Sequence, residues 1–430
     1  MTTKKPAISS PPTASEEYIS REQALKVLGV KAQTLYAYVS RGWIRSIQQP
    51  GGGRRSLYAL MDVESAKART TARTGHSVAA ASAMRWGEPI IPTAITEITP
   101  DGPRYRGKLA VNLARSETHF ENVSEWLWSG FWSSEKVLWT IKTPPKQALK
   151  LFSIDHGGSD KHFIWWLAQL TMLVGSIRAA LIEQGNAPNA TESTRELIQL
   201  MIGSMGKLGP NGKFSPMEAG ESVTGALIRV LGLEKTEHNE RALNGMLILM
   251  ADHELTGSTF SARVAASHGA LLHACLTAAL ATHSGQEIGR MPDRIENFYK
   301  SSSQAEGLKI KVKALQQQGL AAPGFGHPAY TKGDPRAEFL IQLAEQTPKK
   351  SMRLKNALDF LKDVKVSMRL YPRAEMGMVI LGMGMRLPSG AVAGILTIAR
   401  MAGWVAHIQE QRLSGYMLRP RAKYVEKPQE

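Results

Sequence analysis

Three polar side chains, one histidine and two arginines, lie at positions where they could bind a ligand. Arg400 is on a largely apolar predicted helix, where an unpaired charge would be costly, so it requires an anionic partner. His253 ends another apolar segment and, taken alone, is better explained as a hydrogen-bonded core histidine than as a ligand. Arg419 belongs to a basic C-terminal run, which by itself indicates only a solvated surface. Guanidinium groups bind carboxylates in a bidentate fork, so the two arginines would suit an acidic ligand.

The sequence around these residues contains four blocks in a recognisable order. The first is the turn Asp101-Gly102, followed by Tyr105-Arg106-Gly107. The others are LNGMLILMADHELTGSTFSARVAAS, PGFGHPAYTKGDPRAEFL and ARMAGWVAHIQEQRLSGYMLRPRAKYV. In order and spacing, from about Ile95 to Val425, the blocks resemble the bacterial citrate synthase family. Four ordered matches are far more specific than one short motif.

This resemblance implies a reaction and a substrate site. The family carries out a Claisen condensation: a base removes a methyl proton from acetyl-CoA, the enol attacks the keto carbon of oxaloacetate, and the citryl thioester is hydrolysed. Two carboxylates and a carbonyl group require guanidinium forks and a hydrogen-bond donor. By resemblance, five residues bind the keto-dicarboxylate, with His327 also catalytic and the last arginine reaching across a dimer interface: His253, His327, Arg336, Arg400 and Arg419.

Coenzyme A is the second ligand that the resemblance implies. Backbone groups of Gly324, Phe325 and Gly326 would hold its adenine, and Lys332 would contact a phosphate. The sequence has no Walker-type or dinucleotide glycine motif, and no His/Cys cluster with metal-ligand spacing. We therefore expect acetyl-CoA or another acyl-CoA as co-substrate, with no permanently bound cofactor and no metal.

The position of the catalytic base departs from the family. Citrate synthases have an aspartate in Pro-Asn-Val-Asp, whereas this chain has Pro-Arg-Ala-Glu, ending at Glu375. A glutamate keeps the carboxylate but moves it by about 1 Å, and a misplacement of that size can cost about 100-fold in rate. Catalysis at Glu375 is therefore expected to be weakened but retained.

The loop that donates to the enol in the family also differs. Its Gly-Pro-Leu-His-Gly-Gly sequence corresponds here to ATHSGQEIGRMPD, which puts Ile288 at the histidine. Loss of such a donor costs about 10² to 10³ in rate. His283, five positions earlier, is a weak catalytic candidate; the favoured interpretation is a helix-end histidine with no catalytic part. Many relatives have a histidine where this chain has Met250, which also indicates that the pocket differs from that of the family.

Composition limits the class of protein. With 430 residues, 43% hydrophobic and 21% charged, the chain can bury a large core, which excludes a disordered or fibrous protein. Cys275 is the one cysteine, so no intrachain disulfide forms, and the N-terminus lacks the apolar core of a secretory signal. Leu243 to Met250 and Ala274 to Ala281 are shorter than the roughly 20 apolar residues that cross a bilayer. We expect a cytoplasmic protein without a membrane segment.

The net charge of +16 is concentrated near the N-terminus. Residues 1–85 hold 13 Lys and Arg against 5 Asp and Glu, which is typical of a polyanion-binding module. Ser20 is predicted to cap a first helix that ends at Gly29, a second helix follows at 32–41, and residues 42–44 and 56–58 are predicted strands flanking a glycine-arginine hairpin tip. This order resembles the winged helix-turn-helix of excisionases and mercury-regulator-type transcription factors. By resemblance, the DNA-contacting residues would be Lys31, Gln33, Thr34, Tyr36, Tyr38, Arg41, Arg54 and Arg55.

Together these patterns predict a mainly α protein, with a small winged helix-turn-helix domain followed by an all-helical two-domain citrate synthase fold. The predicted divisions are a tail at 1–15, the winged domain at 16–68, a linker at 69–88, and the citrate synthase-like domain at 89–430, with a small subdomain at roughly 284–385. An acyl-CoA condensing enzyme, expected as a homodimer, is the favoured function. The alternatives are a DNA-binding sensor of keto acids, a docking domain in place of DNA binding, and the degenerate partner of an active paralogue in a hetero-oligomer.

Overall fold

The computed structural model describes residues 18–40, 44, 46–48, 56–60, 62–63, 66, 91–116, 118–151, 163–183 and 189–420. The chain divides into two compact units, one of residues 1–92 with 421–430 and one of residues 93–420.

Among its described residues, the N-terminal unit has two short continuous helices and a three-stranded antiparallel sheet in the order β1-β3-β2. The Ser20 hydroxyl accepts from the Gln23 N–H while the Gln23 side chain accepts from the Ser20 N–H, so a capping box starts the first helix. Gly29, at φ 65°, ends that helix in the left-handed conformation. The elements are β1 Tyr18–Ile19, α1 Arg21–Leu28, α2 Ala32–Ser40, β2 Ser46–Gln48 and β3 Ser56–Ala59.

Several local predictions for this unit can be compared with the structure. The cap at Ser20, the stop at Gly29 and the return strand are confirmed. The prediction that Tyr38 faces DNA is wrong: it is 9% exposed, because it lies three residues after the buried Leu35 on the same face of α2. Of the strand predicted at 42–44, residues 42–43 lie outside the described residues, Ile44 lies in a bend and is buried, and β2 begins at Ser46. Arg41, Arg54, Arg55 and the predicted linker lie outside the described residues.

The larger unit is mainly helical, as predicted. It begins with a small antiparallel sheet, β4 Thr96–Thr99, β5 Gly102–Tyr105 and β6 Lys108–Leu109. The helices that follow are α3 Ala110–Arg115, α4 Phe120–Ser129, α5 Lys146–Leu151, α6 Phe163–Glu183, α7 Ala190–Met205, α8 Val223–Val230, α9 Glu237–Leu249, α10 Gly257–Ser267, α11 Leu272–His283, α12 Met291–Lys300, α13 Ala305–Gln317, α14 Pro335–Glu345, α15 Met352–Met368, α16 Ala374–Met385 and α17 Ala391–Ser414.

The longest helix, α17, lies at the centre of this unit. It packs against α4, α7, α9, α10 and α11. Among the described residues, two helical stretches are long and apolar enough to cross a membrane, Phe163–Ala180 and Ala391–Ser414, and neither is one of the segments singled out from the sequence. The 18-residue apolar window of the second stretch is entirely buried inside the protein, while residues 412–414 at its end are exposed. Its apolar composition therefore reflects its place in the core.

The helices α14 and α16 pack closely with their N-terminal ends side by side. Gly377 of α16 faces α14 so tightly that a Cβ there would lie 3.0 Å from Ala337 Cα. At the two N-termini, the Ala374 N–H donates to the Asp334 carboxylate across 3.1 Å. This pairing places the first turns of both helices side by side. Arg336 lies in the first turn of α14, and Glu375 lies in the first turn of α16.

Candidate functional site

A short backbone pairing joins the Gly-Phe-Gly-His turn to the segment before α16. Phe325 and Pro372 form an antiparallel bridge, in which the Gly326 N–H donates to the Tyr371 carbonyl at 3.0 Å and the Arg373 N–H donates to the Gly324 carbonyl at 2.8 Å. Gly324 has φ +80°, and a Cβ on it would lie 2.7 Å from Ile295 Cδ1, so only glycine fits. The bridge brings His327 and Glu375, which are far apart in sequence, to one site.

Asp334 links the ends of α14 and α16 and orients Arg336. Its carboxylate caps α14 by accepting from the Arg336 N–H and forms a fork with that guanidinium, with Nε···Oδ1 of 3.0 Å and Nη2···Oδ2 of 2.8 Å. Burial alone would raise the pKa of Asp334, but the Arg336 charge outweighs burial and lowers it. Although Arg336 is 2% exposed, its Nη1 has no hydrogen-bond partner. That nitrogen is free to donate to a bound anion.

Two histidines and a tyrosine form the centre of the site. The ring centroids of His253 and His327 are 5.1 Å apart, and the Tyr330 ring lies 4.8 Å from His327. The Tyr330 hydroxyl is 3.3 Å from His253 Nε2. Because His327 Nδ1 accepts from the Ala329 N–H at 3.1 Å, its Nε2 carries the proton of the neutral ring and can act as a donor.

Both imidazoles are held in the neutral form. Burial, followed by the charges of Arg336 and Arg400, lowers the pKa of His253 well below its usual value. Burial and the Arg336 charge lower the pKa of His327 to about 4. At neutral pH the two rings therefore offer hydrogen bonds, and the positive charge comes from the arginines.

A buried network fixes the turn that carries His253. The preceding Asp252 is completely buried, and its Oδ2 accepts from His407 Nε2 at 3.1 Å and from the Glu254 N–H at 3.1 Å. Burial alone would raise the pKa of Asp252, but His407 and Arg400 outweigh burial and lower it. Glu254, at φ 57°, is in the left-handed region that is strained for a residue with a side chain. The backbone directly after His253 is thus held in a conformation that is unfavourable for Glu254.

Arg400 and Glu375 complete the group of charged residues. Arg400 is 7% exposed and its Nη1 has no partner. Burial lowers the pKa of this guanidinium, and the carboxylates of Asp252 and Glu375 oppose the shift only in part. Glu375 is also 7% exposed; its Oε1 lies 3.4 Å from Arg373 Nη2, and its Oε2 has no partner. Unpartnered, buried donors and acceptors of this kind are what a ligand would satisfy.

The structure thus brings five of the predicted site residues together: His253, His327, Arg336, Arg400 and Glu375. Arg419 is exposed in the extended segment after α17, and among the described residues no hydrogen bond or ion pair joins it to those five. Lys332 is exposed, and Phe325 is packed on Phe360 at 6.1 Å with its side chain buried.

His283 lies in a different environment from the other histidines. It is 0% exposed, its ring packs edge-on against Trp404 at 5.2 Å, and neither nitrogen has a hydrogen-bond partner. Burial, with a smaller effect of the Arg400 charge, lowers its pKa to about 3. The surroundings are those of a packed histidine at the end of α11, which favours the non-catalytic interpretation.

Four residues near the site were not singled out from the sequence. Tyr330 and Asp334 lie within the Gly-Phe-Gly-His block, so their short spacing from His327 and Arg336 was a usable signal. His407 and Arg373 offered none, because His407 meets Asp252 across 155 positions of sequence and Arg373 is apparent only from its side chain's place beside Glu375.

Comparison with known proteins identifies a family. The family model described as citrate synthase, C-terminal domain, matches residues 84–421. The chain belongs to the citrate synthase family. The match begins at residue 84, so the winged helix-turn-helix assignment of the residues before it remains a prediction.

Two curated members of the family share moderate identity with this chain. It is 32% identical to putative citrate synthase 2 of Mycobacterium tuberculosis over 189 residues, 43% of this chain and 51% of that protein. It is 30% identical to citrate synthase 2 of Bacillus subtilis over 203 residues, 45% of this chain and 53% of that protein. The chain therefore spans about half the length of the curated relatives it matches.

Solved citrate synthases share the fold. The enzyme from Thermotoga maritima superposes with a TM-score of 0.62 at 21% identity, covering 80% of this chain and 95% of that one. The enzyme from Thermoplasma acidophilum, solved as a ternary complex with carboxymethyl coenzyme A and oxaloacetate, superposes with a TM-score of 0.68 at 18% identity and the same coverage.

Proposed function

We propose that this protein condenses an acyl-CoA, acetyl-CoA or a close homologue, with oxaloacetate or a similar keto-dicarboxylate. The observation that carries the proposal is the convergence of His253, His327, Arg336 and Arg400 around free hydrogen-bonding atoms, beside the carboxylate of Glu375. This combination supplies two carboxylate-binding cations, a carbonyl donor and a base in one buried place.

The keto acid would be bound through groups that are otherwise unused. The free Nη1 atoms of Arg336 and Arg400 would each donate to one carboxylate, and His327 Nε2–H would donate to the keto oxygen. His253, steadied by the Tyr330 hydroxyl, would hold the opposite side of the ligand. Since the fork to Asp334 fixes Arg336 before any ligand arrives, little conformational entropy is lost on binding.

The acyl-CoA would react at Glu375. Its free Oε2 would remove the methyl proton, the resulting carbon nucleophile would attack the keto carbon, and His327 would protonate the developing alkoxide. Water would then hydrolyse the thioester of the condensed product and release coenzyme A. Coenzyme A would lie over the turn Gly324-Phe325-Gly326 with Lys332 near its phosphates. We propose that residues 284–385 form the small subdomain that closes over this ligand.

Arg419 would complete the site from a second copy of the chain. The segment that carries it is held by a hydrogen bond from the Leu418 N–H to Ser267 Oγ at 3.1 Å, and its own side chain points to solvent. On α6, Trp165 and Met172 are seven residues apart and both 48% exposed, which supports an apolar face for a partner. A homodimer would bury that face.

A direct test is the release of free coenzyme A. Purified protein is mixed with oxaloacetate and acetyl-CoA or propionyl-CoA, with Glu375→Gln as the control that keeps shape but removes the base. We expect release from the wild type and a loss of at least about 100-fold in the variant. The proposal is wrong if no acyl donor gives release above the variant's background.

A second function, a DNA-binding sensor of keto acids, is favoured by the N-terminal unit. Gln33 and Tyr36 on α2 are exposed, as is Lys31 just before the helix, and Thr34 is half-buried beside them. Gel shifts with genomic fragments would give a complex that depends on both sequence and keto acid. Binding that is purely salt-sensitive would exclude it. Native mass measurement after co-expression with a paralogue tests the remaining alternative, a hetero-oligomer.

A further inference from the structure

We propose that Arg373 is a catalytic residue that stabilises the negative charge formed on the thioester oxygen during proton removal. This inference rests on the proposed condensation, and it assigns a role to a residue that the comparisons leave unassigned. This role requires a hydrogen-bond donor close to Glu375 that does not already bind the keto acid.

The chemistry sets that requirement. When the Glu375 carboxylate takes a proton from the methyl carbon, the C–H electron pair becomes the C=C bond and the carbonyl π electrons move to the thioester oxygen. The methylene carbon of this enolate then forms the C–C bond to the keto carbon, the thioester C=O is restored, and His327 supplies a proton to the keto oxygen. Until the C–C bond forms, the thioester oxygen carries the charge and needs a fixed donor.

Arg373 has the position and the free donor for this task. Its backbone is fixed as the N-cap of α16 by the hydrogen bond to the Gly324 carbonyl, 2.8 Å long. Its guanidinium is about four-fifths buried, with Nη2 at 3.4 Å from Glu375 Oε1 and a buried Nε that has no partner. The charge of Arg373 also makes a small contribution to the lowered pKa values of His253 and His327.

The other groups near the site are either used for the keto acid or unable to donate to the thioester oxygen. His327, Arg336 and Arg400 are needed for the carbonyl and carboxylates of the keto acid. Ile288 is apolar, and its Cδ1 packs 3.8 Å from the Cβ position of Gly257. His283 is fully enclosed against Trp404. Among the described residues, Arg373 is therefore the cation that borders the base and has an unused nitrogen.

Binding of carboxymethyl-CoA tests this role separately from turnover. Its carboxylate is a planar anion that resembles the enolate, whereas CoA itself lacks it. Calorimetry on the full-length protein, with and without oxaloacetate, would compare wild type, Arg373→Asn, Arg373→Lys and the exposed control Arg353→Asn. Asparagine is a favoured N-cap residue, so Arg373→Asn keeps the start of α16, which a thermal melt would verify.

We expect the wild type to prefer carboxymethyl-CoA over CoA, and Arg373→Asn to weaken carboxymethyl-CoA at least tenfold while changing CoA less than about twofold. Lysine should restore part of the loss because it keeps the charge. If condensation occurs, Arg373→Asn should also lower kcat by about 10² to 10³.

The inference is overturned if the wild type does not discriminate between the two ligands, or if Arg373→Asn behaves like Arg353→Asn. A wild type that prefers carboxymethyl-CoA through Arg373 but releases no CoA would contradict the proposed condensation and still support anion binding by Arg373.

Discussion

Gly403 on α17 lies directly against the Asp252 carboxylate, and a Cβ at position 403 would be 2.2 Å from Asp252 Oδ1. At the same point the Gly403 N–H donates to the Ala251 carbonyl at 3.0 Å. Since Arg400 is one turn earlier on α17, this contact sets the distance between Arg400 and His253. A side chain at position 403 would therefore displace Asp252 and the turn that carries His253 from α17.

Gly403→Ala should disrupt both stability and ligand binding. Because the added methyl meets a buried carboxylate and a backbone carbonyl, we expect a loss of about 1–3 kcal/mol in the free energy of unfolding. Oxaloacetate affinity should fall at least tenfold, measured by calorimetry. The matched control is Gly257→Ala, where the new Cβ has contacts no closer than 3.5 Å and is expected to be nearly neutral. Equal behaviour of the two variants would contradict the positioning role of Gly403.

Tyr330→Phe should weaken keto-acid binding with little effect on folding. The change removes the hydroxyl that lies 3.3 Å from His253 Nε2, a hydrogen bond worth about 0.5–1.5 kcal/mol. We therefore expect the KM for oxaloacetate to rise by up to about tenfold. Tyr299→Phe is the control, because that hydroxyl is buried without a partner and lies outside the site. A rise in KM for Tyr299→Phe as well would show that the effect is not specific to Tyr330.

His283→Leu should make the protein more resistant to acid. The pKa of His283 is about 3 in the folded protein, against 6.5 for an unperturbed histidine, so only the unfolded chain takes up this proton as the pH falls below 6.5. A histidine with a lowered folded pKa thus costs stability between pH 6.5 and about 3, at up to about 1.4 kcal/mol per pH unit.

Urea unfolding at pH 7.5 and pH 4.5 measures this effect. We expect the variant to lose less stability than the wild type between the two pH values, by about 3 kcal/mol. At pH 7.5 the variant should be at least as stable as the wild type, because two unpartnered buried nitrogens are removed. It should also keep its rate of CoA release; a loss of 100-fold would instead support a catalytic His283.

Mixing two inactive variants tests the proposed exchange of Arg419 between subunits. Arg419→Gln and Glu375→Gln should each be inactive as homodimers. A mixed dimer has one site with both residues intact, so after unfolding and refolding together we expect about a quarter of the wild-type rate. If Arg419 instead serves the site of its own chain, neither site of the mixed dimer is complete and no activity is recovered.

Much of the site could be predicted from the sequence because its chemistry allows few residue types. A keto-dicarboxylate needs guanidinium forks and a neutral donor, and the sequence blocks supply these residue types in order at His253, His327, Arg336 and Arg400. Helix caps such as Ser20 and stops such as Gly29 are equally local, because each depends on the conformation of a few neighbouring residues.

Only the tertiary structure decided how these residues are supported. Contacts such as Asp252 with His407 and Phe325 with Pro372 join parts of the chain that no local period connects. Whether a side chain is buried depends on what packs against its element, which is why Tyr38 lies in the core. For the same reason the sequence determined which residues are candidates to bind and react, while the packing of α14, α16 and α17 decided that Arg373 stands beside Glu375 and His283 stands apart.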